Sequence, residues 1–280
     1  MAELRAFFSS HEDLTQVILY AVVITSLWVA EVSLSGHGLK NKWKHTAVNS
    51  LFIFTALPIQ LLLTTFIILI SSWANIHHWG LINFIPYHNN AWVYYITLFI
   101  LLDFCEYVYH VTMHKVDTLW KFHLVHHSDL HVDVSTTIRE HPGETCIRTC
   151  FLMLWTFLLG PAVGVLILRQ TFQSISNVSA HTEFRLSPKA NKIVGRLFIT
   201  PNLHHVHHHY QLPYTDCNYG DVLSIWDRLF GTYTELDREE TVFGIDTHMD
   251  ENVNGKFLNV IKVPFQKLER KGDHSAINKR

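Results

Sequence analysis

The amino-acid sequence predicts an all-α protein: a multi-pass transmembrane helical bundle with a cytoplasmic, histidine-rich helical cap. Three observations lead to this class. Of the 280 residues, 48% are hydrophobic and only 16% are charged, whereas about a quarter of the residues are charged in soluble domains. The apolar residues are concentrated in four long runs. Thirteen of the 21 histidines lie between His110 and His209.

The four apolar runs are the candidate membrane helices. They cover residues 14–34, 47–74, 91–109 and 145–176. The first three are long enough to cross a bilayer, which takes about 20 residues, and Pro58 predicts a kink in the second. Gly160-Pro161 interrupts the fourth run, which predicts either a helical hairpin that dips into the bilayer or two short tilted helices. One such run could be the core helix of a soluble protein, but four in succession favour a membrane protein.

The basic residues between these runs predict the orientation. Lys40, Lys42 and Lys44 lie between the first two runs, while residues 75–90 contain no lysine or arginine. Positively charged short loops stay in the cytoplasm, so the first loop is predicted to be cytoplasmic and the second to lie outside. One more crossing returns the chain to the cytoplasm after Tyr109. The sequence therefore predicts a multi-pass protein of a bacterial inner membrane or the endoplasmic reticulum, with all histidine clusters on the cytoplasmic side.

Nine histidines have the spacing of metal ligands. Imidazole binds iron, zinc, copper and nickel, and one metal ion rarely takes more than three or four protein ligands, so nine histidines predict two ions. A single triplet could be a solvated loop, but two triplets of the same pattern favour a metal centre. The neighbouring His205 and His209 are expected to point elsewhere, and His131 to lie on the surface. The nine histidines are His110, His114, His123, His126, His127, His181, His204, His207 and His208.

Two carboxylates lie on the same predicted helix face as the first cluster. At 100 degrees per residue, Asp103 and Glu106 fall within an arc of about 80 degrees with His110 and His114. Ionisable residues inside a membrane helix are costly and normally face a partner. We interpret Asp103 and Glu106 as acceptors that orient ligand imidazoles. The alternative is a pair of polar residues where the helix leaves the membrane.

The motifs around these histidines resemble those of the fatty acid hydroxylase superfamily, also called the sterol desaturase family. The resemblance covers about residues 103–233. It rests on four segments, and His181-Thr182-Glu183 further resembles the subgroup that includes alkylglycerol monooxygenase. The segments are Asp103-Phe-Cys-Glu-Tyr-Val-Tyr-His110, Leu119-Trp-Lys-Phe-His123-Leu-Val-His126-His127 and Thr200-Pro-Asn-Leu-His204-His-Val-His207-His208, the last followed by Trp226-Asp227-Arg228-Leu229-Phe230-Gly231.

The resemblance implies a membrane enzyme with two iron ions that uses O₂ to hydroxylate or desaturate a lipid of the sterol, fatty acyl or alkyl-ether type. It implies the nine histidines as ligands, with His141 as a further ligand or a group that supports one. Some members carry a histidine where this chain has Asn177, so Asn177, His141 or water would supply that ligand. Electrons would come from a separate electron-transfer protein or reductase, because the sequence has no haem, flavin or nicotinamide motif.

Two other functions fit the histidine pattern. One is a zinc-dependent membrane lipid hydrolase or isomerase, and the other is a histidine-rich metal carrier. A carrier should place its ligands near the middle of the bilayer, whereas these follow Tyr109. Nucleic-acid binding is not expected, because the net charge is −2 and such proteins carry a basic patch.

Three regions are predicted along the chain. Residues 1–102 form the N-terminal transmembrane helices. Residues 103–235 form the catalytic region with the two metal ions, including a membrane hairpin at about 145–180. Residues 236–280 form a polar C-terminal tail, and its Lys/Arg-rich end is expected to be solvated.

Overall fold

The computed structural model of the chain describes residues 12–34 and 39–267. Within these residues every regular element is helical, and the only β-type pairing consists of two isolated bridges, Phe198 with Leu223 and His209 with Phe243. The predicted all-α class is therefore confirmed. The α-helices, numbered in chain order, are α1 Glu12–Leu34, α2 Leu39–Ile76, α3 Ala91–Lys115, α4 Asp117–His127, α5 Pro142–Leu159, α6 Val163–Ala180, α7 Pro188–Val194, α8 Pro201–His207, α9 Ile225–Phe230, α10 Glu251–Asn254 and α11 Phe257–Val260.

Two of the described helical segments, Lys40–Phe84 and Ala91–Lys115, are long and apolar enough to cross a membrane. The helix α2 continues through Pro58. Many of its exposed side chains are large and apolar: Phe54, Leu61 and Leu62 are between 62% and 76% exposed. Large apolar side chains exposed along one helix of a folded chain indicate contact with something other than water. In α1, the apolar part described is the shorter stretch Ala21–Ser33.

Helices α5 and α6 run in opposite directions and are joined at Gly160-Pro161. Gly160 ends α5 with a positive φ of 74°, and an added Cβ there would lie 2.1 Å from the carbonyl oxygen of Trp79, so only glycine fits. The hydroxyl of Ser71 donates to the carbonyl of Pro161 at 2.7 Å. The turn of the pair therefore lies beside the loop between α2 and α3. Each helix has 18 residues, about 27 Å at 1.5 Å per residue, which is close to the thickness of a bilayer core.

A buried ion cluster joins the N-terminal helices to the histidine region. The ammonium group of Lys42 contacts Glu31 at 2.7 Å, Asp133 at 2.9 Å and Glu183 at 2.5 Å. Glu31 lies on α1 and Lys42 near the start of α2, while Glu183 follows His181 by two residues. The loop between α1 and α2 thus lies at the histidine end of the molecule, and the loop between α2 and α3 lies at the other end.

The described part of the C-terminal segment packs against the rest of the protein. Ile245, Val260 and Val263 are buried in one apolar cluster with Trp120 and Leu124 of α4. The expected solvated, Lys/Arg-rich end lies mostly beyond residue 267, whereas residues 245–263 are docked on α4. The reason is that apolar residues spaced widely in a polar stretch still supply enough contact to dock short helices on a large apolar surface. Residues 268–280 lie outside the described part.

The topology leads to a testable prediction. Because the α1–α2 loop and the histidine region lie at one end, reporters fused after Lys44 and Lys121 should both give a cytoplasmic signal. A reporter after Asn89, in the loop at the opposite end, should give an external signal. Paired alkaline phosphatase and fluorescent protein fusions would measure this. Signals from opposite sides for Lys44 and Lys121 would contradict the arrangement.

Candidate metal centre

The nine histidines of the motifs lie in two adjacent groups. Within each group, one nitrogen of every ring lies within 4.8 Å of the corresponding nitrogen of every other ring. We name them the five-histidine cluster and the four-histidine cluster. The first contains His110, His114, His123, His127 and His207, and the second contains His126, His181, His204 and His208.

Helix geometry explains how each motif serves both clusters. In α4, His123 and His127 are four residues apart and share one face, while His126 is turned toward the other cluster. The motif at α8 divides in the opposite way: His204 and His208 belong to the four-histidine cluster, and His207 belongs to the five-histidine cluster. The two clusters touch: the rings of His127 and His208 stack with centroids 4.5 Å apart.

In the five-histidine cluster, backbone carbonyls fix the proton on one ring nitrogen. Nδ1 of His110 donates to the carbonyl of Tyr219 at 2.8 Å, and Nδ1 of His207 donates to the carbonyl of Cys217 at 2.7 Å. A carbonyl only accepts, so the proton must be on Nδ1, and Nε2 keeps its lone pair. The Nε2 atom of His207 is buried and has no hydrogen-bond partner among the described residues. A buried lone pair of this kind is suited to a cation.

Backbone carbonyls also accept from Nδ1 in the four-histidine cluster. Nδ1 of His181 donates to the carbonyl of Asn177 at 2.8 Å, and Nδ1 of His126 donates more weakly to that of Arg139 at 3.3 Å. The two Nε2 atoms then face each other at 3.1 Å, although both carry lone pairs. Two ligands at right angles and 2.1 Å from one metal ion would be about 3.0 Å apart. The residues present therefore fit a metal ion in each cluster.

Burial keeps these imidazoles neutral. It lowers the pKa of His207 to about 3, with the neighbouring His123 as a further cause, and it lowers the pKa of His181 to about 4. The pKa values of His204 and His208 are likewise well below the ordinary value, because of burial and the surrounding imidazoles. Neutral imidazole is the form that binds metal, so the clusters are ready to bind metal at neutral pH.

Two carboxylates that the sequence reasoning missed contact the five-histidine cluster. Glu144, in the first turn of α5, accepts from Nδ1 of His123 at 2.5 Å. Asp216 contacts Nδ1 of His114 at 3.3 Å and also pairs with Lys115. A carboxylate behind a ligand imidazole fixes its orientation and raises its basicity. The position of Glu144 after His141-Pro-Gly was visible in the sequence, but its contact with His123 was not.

Asp103 and Glu106 have different partners from those expected. Asp103 accepts from the backbone amides of Val222 and Leu223 and from the indole of Trp226. Glu106 pairs with Arg169 at 3.0 Å. These partners correct the interpretation of both residues as acceptors for imidazoles. The physical reason is that α3 presents them to the segment 222–226 and to α6, whereas the imidazoles meet carbonyls, Glu144 and Asp216.

His141 and Asn177 lie outside the two histidine clusters. Nδ1 of His141 accepts from the amide of Gly143 at 2.9 Å, and its Nε2 contacts the carbonyl of Ile261 at 3.2 Å. Both of its nitrogens therefore serve to cap α5 and hold the C-terminal segment, which corrects the idea of a ligand. Asn177 lines a small cavity, described below, together with His126 and His181.

The other three histidines between His110 and His209 point away from the clusters, as expected. His205 accepts from Arg185, and His209 accepts from the amide of Val242. The side chain of His131 is 64% exposed.

A small cavity gives access to both clusters. Its volume is about 70 Å³, and its wall includes His110 and His123 of the five-histidine cluster and His126, His181 and His204 of the four-histidine cluster. A molecule in this cavity would contact both candidate metal positions.

The chain is similar to several lipid-oxidising enzymes. Human alkylglycerol monooxygenase is 31% identical over 162 residues, which cover 57% of this chain and 34% of that protein. The ornithine lipid hydroxylase OlsE of Rhizobium tropici is 28% identical over 196 residues, 67% of this chain and 57% of that protein. The chain thus spans between a third and somewhat more than half of the length of these relatives. No solved structure matches the chain significantly.

The family comparison covers the region that carries the clusters. Residues 95–232 match the model of the family described as fatty acid hydroxylase. All nine ligand candidates, from His110 to His208, lie within these residues. Over residues 95–232, just under half of its length, the chain therefore matches the fatty acid hydroxylase family.

Proposed function

We propose that the two histidine clusters bind two iron ions and that the protein uses O₂ to oxidise a C–H bond of a membrane lipid. The observation that carries this proposal is the pair of touching clusters whose buried Nε2 lone pairs converge, as at the 3.1 Å approach of His126 to His181. The match to the fatty acid hydroxylase family and the similarity to a monooxygenase and a hydroxylase of lipids support the same reaction class.

The donor set favours iron over zinc. Structural zinc takes four ligands, often thiolates, whereas the clusters offer four and five neutral imidazoles. Imidazole shells with open positions are typical of redox iron. Bound iron would supply the reduction of O₂ and the removal of hydrogen from the lipid. The electrons for this would come from a separate electron-transfer protein or reductase.

The residues of the chain would then hold the metal ions and position the lipid. Carbonyls of Tyr219, Cys217, Arg139 and Asn177 hold the imidazoles in one tautomer. The buried surroundings exclude water from reactive species. The apolar surface of α2 supports delivery of the substrate from the bilayer, and we propose that the clusters face the cytoplasm.

The test uses purified protein loaded with iron or with zinc, supplied with a reductase and a panel that includes an alkylglycerol and an ornithine lipid. We expect product only with iron, O₂ and electrons. Hydroxylated product formed in ¹⁸O₂ should carry the heavy oxygen, whereas desaturation would release it as water. Turnover by the zinc form under strict anaerobiosis would show a hydrolase or isomerase instead.

Glu144 offers a prediction about metal affinity. Glu144→Leu removes the acceptor behind His123, so we expect iron to bind about 10- to 100-fold more weakly, the range for lost supporting partners of ligands. Glu144→Gln keeps an acceptor without the charge and should have a smaller effect. Competition with a coloured chelator would measure both. The exposed Glu251→Gln serves as the control, and unchanged affinity in Glu144→Leu would contradict the role.

A further inference from the structure

A larger cavity leads from the small cavity of the metal centre to the surface of the membrane helices. Its volume is about 370 Å³, and we call it the lateral cavity. Its outer wall is formed by Val23, Leu57, Leu61, Leu152 and Ile175. Of these, Leu57, Leu61 and Ile175 are 46%, 62% and 43% exposed. The mouth therefore opens sideways between apolar side chains, where a lipid chain could enter from the bilayer.

The inner end of the lateral cavity is polar. It shares six residues with the small cavity, and all six have polar or charged side chains. A lipid that brings its reacting carbon to the clusters must therefore place the part of the molecule around that carbon among hydrogen-bonding groups. The six residues are Glu106, Thr137, Glu140, Arg148, Gln173 and Asn177.

The charges that line the lateral cavity are balanced in pairs. Its two arginines are matched by its two glutamates. Arg148 contacts Glu140 at 2.7 Å, and Arg169 contacts Glu106 at 3.0 Å. An anionic group would have to draw an arginine away from its glutamate and leave that carboxylate uncompensated, which is costly in a buried site. The paired charges therefore disfavour a phosphate or carboxylate at the inner end.

Two uncharged groups at the inner end have unused hydrogen-bonding capacity. The hydroxyl of Thr137 and the side-chain oxygen of Asn177 are buried without a hydrogen-bond partner in the described part of the chain. Both residues line both cavities. Buried polar atoms are normally satisfied, so these two are suited to a bound molecule that supplies a donor. A hydroxyl or an amide N–H would do so.

We infer that the lateral cavity binds a lipid whose reacting carbon lies within a few bonds of an uncharged hydroxyl or amide, held by Thr137 and Asn177, and that it discriminates against an anionic group there. The inference rests on the proposed function, because it takes the lateral cavity as the substrate site. The lipid chain lies toward the apolar mouth, and the polar group lies beside the clusters.

The test measures binding without turnover. A long-chain monoalkylglycerol and the same molecule with a phosphate ester on its terminal hydroxyl are compared by native mass spectrometry in detergent, on metal-loaded and metal-stripped protein. The neutral lipid should bind at least about tenfold more tightly, a ratio that one buried hydrogen bond can supply. Equal affinities, or tighter binding of the phosphate form, would overturn the inference. The experiment measures lipid binding and not oxidation. Its result can therefore be interpreted even if the protein does not have the proposed oxygenase activity.

Substitutions in the lateral cavity test which side chains contact the lipid. Thr137→Val should weaken binding of the neutral lipid by about tenfold, while metal content stays at the parent level. Thr149→Val is the matched control, because that threonine lines the same cavity but its hydroxyl already donates to the carbonyl of Thr145. Glu140→Gln frees Arg148 and should improve binding of the phosphate form. Equal losses in the two threonine variants, or no gain in Glu140→Gln, would count against the inference.

Discussion

Replacing His207 by alanine should remove one metal ion and abolish lipid oxidation. The parent protein is expected to hold about two ions per chain, because nine imidazoles suffice for two ions at the usual three to four ligands each. The variant should hold about one, because the His207 ring lies against the rings of His110, His114 and His127 and its loss disturbs their arrangement. His207 belongs to the five-histidine cluster, its Nε2 faces the other rings, and its side chain is fully buried. Metal analysis of purified protein by mass spectrometry would measure the change.

His209→Ala is the matched control for this prediction. His209 follows the same motif directly and is also buried, but its Nδ1 accepts from the amide of Val242. Its loss should leave the metal content at the parent level. A parent protein with one ion, or a His207→Ala variant with unchanged metal, would contradict the assignment of two clusters. Equal metal loss in both variants would indicate a folding defect and not a ligand.

The sequence predicted the helices and the histidines because both depend on local patterns. Apolar runs predicted α2 and α3, and the spacing of His123, His126 and His127 placed their rings on one side of α4. How the nine rings divide into two clusters depends on how α4 and α8 pack, so spacing alone could not show it. The same holds for His141, whose partners lie at Gly143 and at Ile261, 120 residues away.

The supporting carboxylates were harder to predict. Glu144 meets His123 from 21 residues away, and Asp216 meets His114 from 102 residues away. Asp103 and Glu106 were chosen because they share a helix face with His110, but a helix face meets several neighbours. In the structure that face also meets Arg169 and the backbone at Val222, which take both carboxylates. A shared helix face therefore predicted correctly that Asp103 and Glu106 have partners, but the predicted partners were wrong.

The second large effect is expected at Lys42. Its side chain and that of Glu31 are 2% and 0% exposed, and Asp133 is 4% exposed. Lys42→Met would leave the carboxylates of Glu31, Asp133 and Glu183 close together without their shared cation. Removing one partner of a buried ion pair costs roughly 3–5 kcal/mol. We therefore expect a clear drop in the thermal unfolding temperature in detergent.

The same change should weaken the metal centre indirectly, because Glu183 follows His181 by two residues and its amide donates to Glu31 at 2.8 Å. Lys44→Met is the control: Lys44 is on the same helix, two residues further along, and exposed. The double variant Lys42→Met with Glu31→Gln should recover part of the stability, since one of the uncompensated charges is then gone. If Lys42→Met unfolds at the parent temperature, the cluster does not hold the N-terminal helices to the histidine region. If the double variant is less stable than Lys42→Met alone, the loss comes from packing and not from uncompensated charge.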